Sequence, residues 1–78
     1  MNQNEIEVPN EADRHQCSKT VAQMVARDGL TTAKAIARLR VQYQTEASTA
    51  SPHSRHGRWR LAVARVYLTI LGEMETAP

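Results

Sequence analysis

Phenylalanine is absent from this chain, tryptophan and cysteine occur once each, and tyrosine occurs twice. With so few rings, a core must be built from Val, Leu, Ile, Met and Ala, which bury less area per residue than aromatic side chains. A lone cysteine, Cys17, excludes an internal disulfide and lends no support to an oxidising compartment. The N-terminus lacks the basic-then-apolar pattern of a signal peptide. The longest strongly apolar stretch, Leu61 to Leu71, is interrupted by Arg65 and falls short of the roughly 20 apolar residues that span a bilayer. A cytoplasmic protein with no membrane partner is the expectation.

Chemistry-bearing motifs are equally scarce. No glycine-rich phosphate loop, paired catalytic carboxylates or Ser/His/Asp grouping is visible. A chain of 78 residues also has little room for a water-excluded cleft. His53 and His56 lie three apart in a polar segment, far from His15 and Cys17, whereas zinc needs about four ligands at recognisable spacing. The reading is a binding protein and no enzyme, with no catalytic residue, no metal and no cofactor. Cys17 reads as a small buried residue rather than a nucleophile.

What is present is charge, unevenly spread. Residues 1–13 hold Glu5, Glu7, Glu11 and Asp13 with no Lys or Arg. Residues 14–71 hold all ten Lys and Arg against only Asp28 and Glu46, and the tail adds Glu73 and Glu75. The body is thus far more basic than the whole-chain charge of +2 indicates, which favours polyanions through counterion release.

Periodicity divides the chain into an all-α, small three-helix domain. Residues 1–9 read as a disordered acidic N-terminal arm, and residues 10–76 as the domain, with helices over about 10–28, 31–47 and 55–74. Asn10 has the chemistry of an N-cap, with Glu11 and Asp13 in the following turn, and Gly29 that of a C-terminal stop. Cys17, Val21, Met24 and Val25 make one narrow apolar stripe. Thr31 or Thr32 caps the second helix, whose inner side holds Ile36, Leu39, Tyr43 and Ala47, flanked by Ala35 and Arg40. Ser48 to His56 reads as a polar linker containing Pro52. In the third helix, Trp59, Leu61, Val63, Ala64, Val66, Tyr67, Leu68, Ile70, Leu71 and Met74 cover roughly 220° of the circumference at about 100° per residue. A surface helix needs an apolar arc of only about 100° or somewhat more. This predicts a central hydrophobic C-terminal helix that two short helices cannot cover, and hence a homodimer or a protein partner. Trp59 lies on that arc and is expected in the core.

Met24 to Ile36 has the helix–Gly–helix outline of a helix-turn-helix, which would turn Thr31, Thr32, Lys34 and Arg38 toward a groove. The register opposes it. Asp28 stands where an apolar residue should precede the turn, Val25 where a small one should stand, and Arg38 where an aliphatic should be buried. An αα-hairpin packed on the third helix is the better reading.

The densest signal is Arg55-His56-Gly57-Arg58-Trp59-Arg60 at the start of the third helix. Cations there are disfavoured by about 0.3 to 1 kcal/mol each by the helix dipole unless an anion neutralises them. Arg55, His56, Arg58, Arg60 and Arg65, extended by Lys34, Arg38 and Arg40, are therefore the candidate contacts to nucleic acid or to an acidic protein surface. Val63, Tyr67, Leu71 and Met74 are the candidate oligomer or partner interface. The expected function is a small nucleic-acid-binding regulator. The alternative is a protein–protein interaction module or small inhibitor, of the kind phages and plasmids encode, docking through its apolar helix and basic face.

Overall fold

The computed structural model describes residues 9–76. The acidic arm expected over residues 1–9 lies outside them except for Pro9. Three α-helices and no strand are found among the described residues: α1 (Glu11–Asp28), α2 (Thr32–Thr49) and α3 (Arg55–Thr76). None is long and apolar enough to cross a membrane.

Each helix starts where a side chain can satisfy an orphan N–H. Asn10 closes a full capping box: its Oδ1 accepts from the Asp13 N–H at 2.8 Å, and the Asp13 carboxylate accepts from the Asn10 N–H at 3.4 Å. Gly29 ends α1 in the left-handed region at φ +66°, its N–H donating to the Val25 carbonyl at 3.1 Å. Thr31 caps α2 by accepting from the Lys34 N–H at 3.2 Å. The Ser54 hydroxyl performs the same service for α3, accepting from the Gly57 N–H at 2.9 Å. Two helices run past the ends read from sequence. Ser48 and Thr49, taken there for linker, prolong α2 by donating their hydroxyls back to the Gln44 and Thr45 carbonyls at 2.9 Å each. Helix α3 continues through Thr76, whose hydroxyl donates to the Glu73 carbonyl at 3.1 Å.

Helices α2 and α3 form an antiparallel hairpin, and α1 packs against both. The core joins Cys17 and Val21 of α1 to Ala35, Ile36 and Leu39 of α2 and Val66, Ile70 and Leu71 of α3. Met24, Val25, Leu30, Tyr43, Tyr67 and Met74 pack around this cluster. Leu71 is wholly enclosed at 0% exposure, a burial that stabilises by about 1.5 to 3 kcal/mol. The three-helix core thus takes its α3 members only from Val66 onward. Nearer the loop the hairpin is two helices thick, and its seam is lined by small buried residues, Ala50, Gly57 and Ala64. A Cβ on Gly57 would stand 1.9 Å from the Ser51 carbonyl oxygen, so the loop backbone lies directly on the first turn of α3. Only glycine admits that approach.

The expectation for Trp59 needs correction. It is 62% exposed and lies outside the core. The helical wheel gives angle but not position along the axis. Trp59 shares a face with Val66 and Ile70, yet stands two to three turns nearer the N-terminus, at the end of α3 that contributes nothing to the core.

Candidate functional site: the open end of the hairpin

Because Ser54 starts α3 so early, Arg55, His56 and Arg58 all fall in its first turn, and all are exposed. The i, i+3 spacing stacks the His56 and Trp59 rings, with centroids 5.8 Å apart and planes at 27°. Arg55 and Arg58 make no ion pair with any described residue. Two cations therefore flank an exposed aromatic pair.

Arg60 behaves differently. One turn further along it bends inward across the hairpin, and its Nε and Nη2 both donate to Oε2 of Glu46, at 3.0 and 2.6 Å. Glu46 is the one acid of α2. Below this pair, Tyr43 and Tyr67 stack across the helices with centroids 5.1 Å apart. Burial pushes both phenols above their ordinary range, with smaller contributions from Tyr67, Cys17 and Glu46 at Tyr43 and from Asp13 and Cys17 at Tyr67. Beside the Arg60–Glu46 pair lies a groove of about 300 Å³, lined by Tyr43, Glu46, His56, Trp59, Arg60, Val63 and Ala64. No α1 residue lines it.

The other sequence-picked cations lie elsewhere. Arg40 is tied to Glu75 in the last turn of α3. Lys34 and Arg38 are exposed on the outer face of α2 and line a shallow depression of about 400 Å³ with Leu30, Ala37 and the 63% exposed Val41. Along α2, Lys34 is roughly 24 Å from the loop end, at about 1.5 Å per residue. Lys34, Arg38 and Arg40 are thus not joined to the α3 cluster as one patch. Arg65 is exposed two turns beyond Arg58 and is engaged within the chain. Arg38 is not buried, in keeping with the poor helix-turn-helix register.

The residues picked as an interface are also divided. Leu71 has no surface to offer a partner, and Tyr67 and Met74 pack on the core. Val63 alone of the four lines the open groove. Cys17 is buried, and burial raises its thiol above the ordinary range, which disfavours the thiolate. Among the described residues no three His, Cys, Asp or Glu side chains come together.

Sequence reasoning passed over Glu46 and Gly57. Glu46 is the only acid between Asp28 and Glu73, so any inward-turned arginine of α3 had one carboxylate to find. Comparison with protein-family models, with curated proteins and with solved structures finds no match for this chain.

Proposed function

We propose that this chain is a small nucleic-acid-binding protein whose contact surface is the open end of the α2–α3 hairpin. The observation that carries the reading is Trp59, 62% exposed and stacked on His56 beside two arginines that pair with no carboxylate among the described residues. Exposing the chain's one tryptophan leaves a large ring face in water, and arginines beside it supply the charge that phosphates require. Aromatic faces edged by cations are the equipment of sequence-tolerant nucleic-acid binding. Arg55 and Arg58 take the phosphates; Arg60 and Arg40, already paired, contribute less than their formal charge implies. Lys34 and Arg38 line a separate depression further along α2 and would add contacts only to a strand long enough to reach it.

Titrating a labelled oligonucleotide at several salt concentrations tests the reading. Arg55→Ala with Arg58→Ala should weaken binding and flatten the dependence of log K on log salt by about 0.7 to 0.9 per lost phosphate contact. Absence of binding by the native chain at tens of micromolar and low salt would remove the proposal.

A second reading, docking of a protein partner or a second copy of the chain, draws on the same residue. Trp, Tyr and Arg dominate interface hot spots, and Trp59, Val63 and Tyr43 line one open groove. Sedimentation of the native chain and of Trp59→Ala separates the readings. A dimer that dissociates on that substitution favours the second.

A further inference from the structure

We infer that the groove beside Trp59 is a subsite for a single unpaired nucleobase, which makes the chain a binder of single strands rather than duplex. The inference rests on the nucleic-acid reading above and adds to it the form of ligand.

The first support is shape. A cavity of about 150 Å³ suffices to hold a benzene ring, and the groove offers about 300 Å³. Aromatic rings border it on both helices, Tyr43 on α2 and the His56–Trp59 stack on α3, with Val63 and Ala64 along its floor. A flat ring finds π-faces there, and a branched aliphatic side chain would leave them uncovered.

The second support is the polar edge. Both bonds of the Glu46–Arg60 pair converge on Oε2, so Oε1 of Glu46 and Nη1 of Arg60 make no hydrogen bond among the described residues. The pair lines the groove, and its side chains remain 39% and 34% exposed. A purely apolar occupant would strip water from both atoms and return nothing. The fitting occupant is a planar ring that carries both donors and acceptors on its rim, so that the carboxylate and the guanidinium each keep a partner when water leaves. Every nucleobase carries both when unpaired. In a duplex those groups are consumed by the partner base and the ring faces by stacking, so paired nucleic acid reaches only Arg55 and Arg58.

The third support is placement. Arg55 and Arg58 stand in the same turn of α3 as His56, where the phosphates flanking a base seated against His56 and Trp59 would run. Charge for the backbone and rings for the base are thus offered side by side.

Trp59 is the sole tryptophan, so its fluorescence reports on the groove without a label. The full chain is titrated with an oligothymidylate of about twelve nucleotides, with an abasic sugar–phosphate oligomer of the same length, and with a thymidine–adenosine duplex. The expected result is quenching of Trp59 by the oligothymidylate and affinity roughly tenfold or more above that for the other two probes, the scale of one stacked base. Trp59→Ala, whose side chain lies outside the core, should bring the affinity for the oligothymidylate down to that for the abasic oligomer, both read with end-labelled probes because the variant has no tryptophan. Arg55→Ala should weaken all three probes alike. Equal affinity for base-bearing and abasic oligomers, with Trp59 unquenched, overturns the subsite and leaves the phosphate-binding reading intact. Failure of all three probes to bind overturns both. Quenching by an acidic tyrosine-bearing peptide, with none by the oligothymidylate, assigns the groove to a protein partner and overturns it as well.

Discussion

The two ends of the α2–α3 hairpin are built from one pair of helices and differ in nearly every physical respect. Toward the α2 N-terminus, α1 lies across the hairpin and closes a core of Cys17, Val21, Ile36, Leu39, Ile70 and Leu71. Around its margin two arginines are answered by carboxylates, Arg14 by Glu73 and Arg40 by Glu75. Toward the loop no third helix arrives among the described residues. The seam narrows to Ala50, Gly57 and Ala64, and Trp59 and Val63 line an open groove beside Arg55 and Arg58, which pair with no described carboxylate. One end is organised to hold together and the other to be occupied. Substitutions should therefore separate stability from binding according to the end they touch.

Leu71→Ala attacks the closed end where it is deepest. Truncating a fully buried leucine costs about 2 to 5 kcal/mol, against a total of roughly 4 to 12 kcal/mol for a chain of this size. The variant should lose well over about 8 °C in Tm or be unfolded at room temperature, seen by circular dichroism on heating. A loss below about 0.5 kcal/mol would mean that the core lies elsewhere.

Gly57→Ala probes the seam of the open end. Helix propensity alone favours alanine by about 1 kcal/mol, but the new methyl would collide with the Ser51 carbonyl. A net loss of about 1 to 3 kcal/mol is expected. Hydrogen exchange should show the damage at Ala50–Gly57, with amides in α1 protected as before. A gain in stability would show that the loop does not rest on the helix.

Alkali should find the closed end and its border first. Burial raises the Cys17 thiol and the Tyr43 and Tyr67 phenols above their unfolded ranges of about 8.5 and about 10. Above those values the unfolded chain has released protons that the folded chain retains, so stability falls as pH rises. Their contribution is complete below about pH 8.5 and declines as pH climbs toward the folded pKa values. Chemical denaturation between pH 7 and 11 should show the decline, and Tyr43→Phe should lessen its upper part. A flat profile would contradict the burial assigned to these groups.

Trp59→Ala should have the smallest effect on folding, within about 0.5 kcal/mol, because an exposed side chain away from caps and core contributes little. Loss of several kcal/mol in a denaturant titration would place Trp59 back in the core.

The closed end was largely legible in the sequence because its determinants are local. Asn10 with Asp13, Gly29 and Thr31 act within one turn, and the stripe of Cys17 and Val21 and that of Ile36 and Leu39 follow from helical spacing. The open end was not, for two reasons. A wheel places Trp59 with Val66 but does not record that α1 stops short of it. The pairs Arg14–Glu73, Arg40–Glu75 and Arg60–Glu46 join residues up to 59 apart, so dividing the chain into acidic and basic blocks separated charges that the fold reunites. That is why the basic patch is smaller than composition implied, and why Arg55 and Arg58 stand out within it.

The division of the molecule rests on Trp59 being uncovered in the free chain and covered when the open end is filled. Iodide quenching of its fluorescence, without and with a saturating single-stranded oligonucleotide, measures both states. Full accessibility in the free chain and clear protection in the complex is the predicted result. A tryptophan already shielded in the free chain, or equally open in the presence of saturating oligonucleotide, would contradict it.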